Sequence, residues 1–184
     1  MKVKREILVD VDDRPLYQCY YLGDNIFAGE YPGDKDPDYA RYKIRQMLRF
    51  GVRHFFDLTE EGELAPYSHF LPEYATYHRM PIKDCSVPTL PPGGFAHFIC
   101  NMLDHARKGD GYVYLHCWGG VGRTGVAAAC CIAGRDITKS FEDVVYELQT
   151  RFKEMPKSSK RITPENHAQL EYIRQYVEGK IKIW

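Results

Sequence analysis

The chain has 184 residues and equal numbers of Lys+Arg and Asp+Glu, 25 each, so its formal net charge is zero. That length suffices for one domain with a sizeable core, and the balance leaves no footprint for nucleic acid or an anionic membrane surface. No apolar run approaches the roughly 18 residues of a membrane span, and the N-terminus "MKVKREILVDVDDRP" lacks a secretory apolar core before its acidic run.

In chain order, "NIFAGEYPG" (residues 25–33) reads as a short strand ending in a Pro-Gly turn. Asp36-Pro37 reads as an N-cap and first helical residue, opening a helix to about Phe50 with Ile44, Met47 and Leu48 inward. "GVRHFFDL" and "YATYHRM" read as strands, and the Pro-rich segment "PIKDCSVPTLPPGG" (81–94) as a loop. Phe95, Phe98, Ile99, Met102, Leu103 and Ala106 keep helical spacing. "DGYVYLH" is the next strand. Helices follow at about 123–134, at 141–155 capped by Ser140, and at 164–178 capped by Thr163 with Pro164 in the first turn. Strands alternating with helices predict one α/β domain over 1–184, with a mainly parallel central sheet between helical layers.

The six cysteines are Cys19, Cys85, Cys100, Cys117, Cys130 and Cys131. They form no C-x-x-C pair, so neither a zinc site nor a thioredoxin-like motif is expected. The adjacent pair Cys130-Cys131 disfavours a disulfide framework, and free thiols in a reducing cytoplasm are the expectation.

The chemistry concentrates in "YVYLHCWGGVGRTGVAAAC", residues 112–130. A buried strand ends at His116-Cys117. Trp118, Gly119, Gly120, Val121 and Gly122 must then curl tightly before a helix opens near Arg123, and Gly119, Gly120 and Gly122 permit unusual backbone angles. Successive N–H groups and the helix N-terminus make a cradle of phosphate size. A thiol at its rim, beside a guanidinium, is favoured as thiolate, a nucleophile suited to attack at phosphorus. The Arg123 fork matches two phosphoryl oxygens.

"HCWGGVGRTG" resembles the signature of the cysteine-dependent protein tyrosine and dual-specificity phosphatases: His-Cys, five residues, Arg, then Ser or Thr. The likeness extends more loosely from "NIFAGEYPG" to "RITPENHAQLEYIRQY". It implies a phosphatase-type three-layer fold and a phosphocysteine intermediate at Cys117, hydrolysed by water without metal or other cofactor. It further implies that His116 orients the loop, that Thr124 supports the thiolate as leaving group, and that an upstream loop aspartate is the general acid. Asp84 in "PIKDCSVP" fits that place better than Asp57, Asp104 or Asp110. Gln169 is the counterpart of a water-positioning glutamine, with a solvent-facing helix residue as the alternative. Glu60, Glu61 and Glu63 either contact substrate or form a solvated loop.

The loop interior "WGGVG" carries no Lys or Arg, unlike lipid phosphatases that meet multiply charged head groups. That weakens a phosphoinositide reading, while the bulky Trp118 and a chain shorter than the classical tyrosine phosphatase domains favour a compact dual-specificity-like enzyme. The expected substrate is a phosphorylated protein or a small phosphate ester, and the expected state a monomer. An inositol-type phosphatase, a phospho-binding module without turnover and a sulfur transferase are the alternatives.

Overall fold

The computed structural model describes residues 14–89 and 92–179; the N-terminal stretch read for a secretory core, and Leu90-Pro91 of the proline loop, lie outside them. The described residues contribute five strands: β1 (Cys19–Gly23), β2 (Ile26–Gly29), β3 (Val52–Asp57), β4 (Thr76–Arg79) and β5 (Tyr112–His116). They form one sheet in the order β1-β2-β5-β3-β4. β2, β5, β3 and β4 run parallel, and only β1 is antiparallel to its neighbour β2. The expected mainly parallel sheet is present, and β5 lies at its centre.

The sequence reading has no β1. Its hairpin to β2 turns at Asp24 and Asn25, with φ of 49° and 63°. Two consecutive left-handed residues are what a two-residue hairpin loop requires, and Asp and Asn tolerate them. The signal was therefore legible in "GDN".

The first helix, α1 (Pro37–Phe50), is capped as expected: the Asp36 carboxylate accepts from the Asp38 and Tyr39 amides, and Gly51 closes the C-terminus at φ 111°. Ala40, Ile44 and Met47 are buried and Leu48 half-buried against one sheet face, where Phe27, Phe55 and Tyr114 point. The opposite face presents Ile26, Ala28, Phe56, Val113 and Leu115. It is covered by α2 (Pro92–Lys108), α3 (Gly122–Arg135) and α4 (Phe141–Phe152), with α5 (His167–Val177) packed against α3 and α4. Side chains alternating between two covered faces give the three-layer α/β architecture.

Two helix boundaries differ from expectation. α4 stops at Phe152 because Pro156 forces its predecessor, Met155, into an extended conformation. α5 starts at His167, capped by Asn166, whose side chain accepts from the Gln169 amide. Thr163 is not the cap; its hydroxyl donates to the Val121 carbonyl at 2.8 Å. α3 is buried continuously from Gly122 to Ala133, which explains its run of small residues: neighbours pack on every side. At Gly125 a Cβ would come within 2.0 Å of Thr163 Oγ1.

Candidate active site

β5 delivers His116 and Cys117 to the C-terminal edge of the sheet. The Leu58 amide donates to the His116 carbonyl at 2.9 Å and pins the strand end. Cys117 is only 3% exposed, a more enclosed position than the open rim that the sequence suggested.

The loop carbonyls are held from outside. Cys117 O accepts from His116 Nδ1 at 3.2 Å, Trp118 O from the Tyr31 amide at 2.9 Å, Gly119 O from Lys157 Nζ at 2.9 Å, and Val121 O from Thr163 Oγ1 and the Gly125 amide. In a planar trans peptide the C=O and the following N–H point oppositely. The N–H groups of residues 118, 119, 120 and 122 are thereby turned inward, and among the described residues the N–H groups of 118–124 meet no protein acceptor. The three glycines serve this differently. Only Gly120 uses a left-handed φ, 72°, and a Cβ there would meet the Gly29 carbonyl carbon at 2.4 Å. Gly122 admits Glu165 and Gln169 at close range, whereas a Cβ at Gly119 would meet nothing within 4 Å.

Behind the loop lies a buried polar network that the sequence reading missed. Tyr67 OH and His116 Nε2 are 2.7 Å apart. Since the Cys117 carbonyl can only accept, His116 Nδ1 carries a proton; in the neutral ring Tyr67 then donates to Nε2. Burial favours the neutral ring, pushing His116 below its ordinary pKa despite Asp57 nearby. The Asp57 Oδ1 lies 3.8 Å from His116 Nδ1. It accepts from the Thr59 amide and hydroxyl at 2.8 and 2.7 Å, while Oδ2 accepts from Tyr77 at 2.6 Å and Arg79 at 3.3 Å. Burial works against the Asp57 charge; the His116 ring and the Tyr77 and Thr59 hydrogen bonds outweigh it and hold the carboxyl below its usual value. The parallel register sets Asp57 beside His116, a pairing of distant strands that no stretch of the sequence marks.

Arg123 opens α3 almost fully buried. Its Nη1 donates to Glu63 Oε2 at 2.7 Å and to the Ile82 carbonyl at 3.0 Å; its Nη2 donates to Glu63 Oε1 at 2.7 Å and lies 3.0 Å from Asp84 Oδ1. Burial alone would lower its pKa, but Glu63, Cys117 and Asp84 raise it above the ordinary value, so it stays charged. Glu63 is in turn held below the usual carboxylate range, chiefly by its Arg123 hydrogen bonds. Of the three glutamates, Glu63 grips the arginine. Arg123 Nε and the Thr124 hydroxyl are buried without a protein hydrogen-bond partner among the described residues.

Asp84, half-exposed at its side chain, reaches the site from the proline loop. The other acids do not: Asp57 has both oxygens engaged, Asp104 pairs with Arg107, and Asp110 meets His54 at the far end of β5. Gln169 is fully buried rather than solvent-facing. Its Oε1 accepts from the Glu165 amide at 3.0 Å and its Nε2 donates to the Ser86 carbonyl at 3.2 Å. Trp118 is 58% exposed and lines the cleft beside Gly119.

A family model described as "Swiss Army Knife protein, DSP-PTPase phosphatase domain" (PTP-SAK) matches residues 36–175. A 117-residue segment is 30% identical to protein 067L of Invertebrate iridescent virus 3, whose name places it among the tyrosine phosphatases. The match covers 62% of this chain but 45% of that protein, so the chain spans less than half the length of this relative. The fold is similar to Tk-PTP in its active form (TM-score 0.69, 16% identity, 88% of this chain and 97% of that one). It is also similar to kinase-associated phosphatase with its catalytic cysteine replaced by serine (TM-score 0.64, 20% identity, 91% and 97%). With the family model matched across most of its length, the chain belongs to the PTP-SAK phosphatase domains of the cysteine-dependent tyrosine and dual-specificity phosphatase superfamily.

Proposed function

We propose that the protein hydrolyses phosphomonoesters on proteins, phosphotyrosine first among them, through a phosphocysteine at Cys117. The observation that supports this best is the loop itself: the carbonyls of Cys117, Trp118, Gly119 and Val121 are held from outside, the N–H groups of 118–124 have no protein acceptor, and Cys117 at its start is almost fully buried. A phosphoryl group would take those amides together with the unpartnered Arg123 Nε–H. At Nη2 it would compete with Asp84, whose oxygen lies 3.0 Å away.

In the first step the thiolate forms the S–P bond, the P–O bond to the substrate breaks, and Asp84 gives its proton to the departing oxygen. In the second, water attacks phosphorus, Asp84 takes the water's proton, and the thiolate departs with inorganic phosphate left behind. The Thr124 hydroxyl, buried and unpartnered, would donate to that thiolate. Neutral His116, donating to the Cys117 carbonyl, would hold the loop in shape. Gln169, beside Gly122, would orient the water after releasing the Ser86 carbonyl.

Phosphoprotein is favoured over a multiply charged small phosphate because two of the three lysines that line the cleft at the mouth, Lys157 and Lys43 but not Lys35, are already paired. Lys157 meets Glu30 and the Gly119 carbonyl, and Lys43 meets Asp34 and the Gly33 carbonyl. A cleft of about 690 Å³ opens beside Trp118 and Gly119, with room for chain flanking the phosphorylated residue.

The test is direct. Cys117→Ser should lose turnover yet keep phosphate binding, because a serine hydroxyl is not ionised in the same cradle. Arg123→Lys should be severely impaired, since an ammonium cannot satisfy Glu63 and a phosphoryl oxygen together. Substantial activity in the serine variant would exclude the thiol as nucleophile.

A further inference from the structure

Residues 163–169 lie between the two loops of the site. On one side Thr163 Oγ1 holds the Val121 carbonyl at 2.8 Å, and Gly122 and Gly125 let this segment approach the start of α3. On the other side Asn166 Nδ2 donates to the Cys85 carbonyl at 2.9 Å and Gln169 Nε2 to the Ser86 carbonyl at 3.2 Å. Cys85 and Ser86 directly follow Asp84. Beyond Ile82, whose amide donates to the Leu58 carbonyl, the backbone of residues 83–89 makes no other hydrogen bond to the rest of the described protein.

Asn166 thus does two jobs with two atoms. Its Oδ1 caps α5 by accepting from the Gln169 amide at 3.0 Å, and its Nδ2 grips the Asp84 loop. Capping needs only the acceptor, so the donor is surplus to the helix. The gripped residue is itself unusual: Cys85 is a non-glycine residue at φ 57°, a conformation that needs outside support.

We infer that Asn166 is a positioning residue, whose side-chain N–H holds the Asp84 loop over the cradle and couples the acid to the catalytic loop. The inference rests on the reading of Asp84 as general acid. A single hydrogen bond of ordinary strength corresponds to a roughly 2- to 10-fold change in the population of the held loop.

Asn166→Asp separates the two jobs. A carboxylate still caps the helix, but it places an oxygen against the Cys85 carbonyl where an N–H stood. The expected result is a roughly 5- to 10-fold fall in kcat on a phosphotyrosine peptide, with less than about a 2-fold change on dinitrophenyl phosphate, whose leaving group needs little protonation. The double variant Asp84→Asn/Asn166→Asp should lose no more than Asp84→Asn alone, because a held loop without its acid has nothing to position. Asn166→Ser, another good cap without a donor of the same reach, should behave like Asn166→Asp and guards against a folding artefact. Equal losses on both substrates, or an additive double variant, would overturn the inference. If Asp84→Asn is selective for the phosphotyrosine peptide while Asn166→Asp matches wild type, the positioning role alone fails. If Asp84→Asn itself affects both substrates alike, the acid role fails and the inference with it.

Discussion

Glu63 and Arg123 meet edge to edge: Nη1 and Nη2 donate to different oxygens of one carboxylate, each at 2.7 Å. The arginine that should bind phosphate is therefore oriented before substrate arrives. Glu63→Gln would leave one acceptor and set an amide N–H against the guanidinium. Charge-assisted hydrogen bonds of this kind are worth about 1.5–3 kcal/mol, so kcat/KM on any phosphomonoester should fall roughly 10- to 100-fold. Steady-state kinetics on an aryl phosphate checks this; wild-type values would show that Arg123 holds its orientation without the carboxylate.

The loop glycines should separate under alanine substitution. Gly120→Ala must place a Cβ at φ 72° and within 2.4 Å of backbone at Gly29, where neither partner is a flexible side-chain end. We expect about 1–3 kcal/mol of destabilisation and loss of most activity. Gly119→Ala meets open space at a permitted φ and should stay within a few-fold of wild type. Thermal unfolding and kinetics on the pair decide the matter, and equal behaviour would refute the geometric argument.

Much of this was legible in the chain. Helix α1 could be read from Asp36-Pro37 and Gly51, and the core face of α2 from the spacing of Phe95 to Ala106, because local capping and periodicity are sequence-near signals. The reactive loop was legible because its residues are contiguous. What escaped was made by distant segments. Tyr67 finds His116 across 49 positions, Glu63 finds Arg123 across 60 and Asn166 finds Cys85 across 81. No pattern within a window of the sequence marks such pairs. The start of α5 was misplaced for the same reason: Thr163 looks like a cap locally but spends its hydroxyl on Val121.

Three histidines pack together away from the catalytic loop, with ring centroids 4.1 Å apart for His54–His105 and 5.3 Å for His78–His105. Burial, then His54, lowers the His78 pKa; burial, then His54 and His78, lowers that of His105. An unfolded chain protonates such residues near pH 6.5. Below that pH the unfolded state binds more protons than the folded one, so stability falls as pH drops. The melting temperature should decline between pH 7.5 and 5.5, and His105→Gln should flatten that slope. A wild-type melting temperature constant across this window would contradict the assignment. The carboxylates Glu63 and Asp57, with lowered pKa values, lose their contribution only at lower pH, below about 4.

Asp84 is tested by leaving-group basicity. Phenol of tyrosine, with a pKa of about 10, needs a proton as it departs, and an activated phenol does not. Asp84→Asn should cost roughly 10²–10⁴-fold on phosphotyrosine and far less on dinitrophenyl phosphate. It should also flatten the basic limb of the pH–rate profile. Losses of the same size on both esters would assign Asp84 a structural role.

The covalent intermediate is the point on which the account turns. Turnover of a phosphotyrosine peptide, quenched in acid within the first cycle, should leave one phosphoryl group on the peptide that carries Cys117. The Cys117→Ser protein should carry none. A phosphoryl group found on another residue, or full turnover with no phosphoenzyme at any quench time and direct displacement by water, would contradict it.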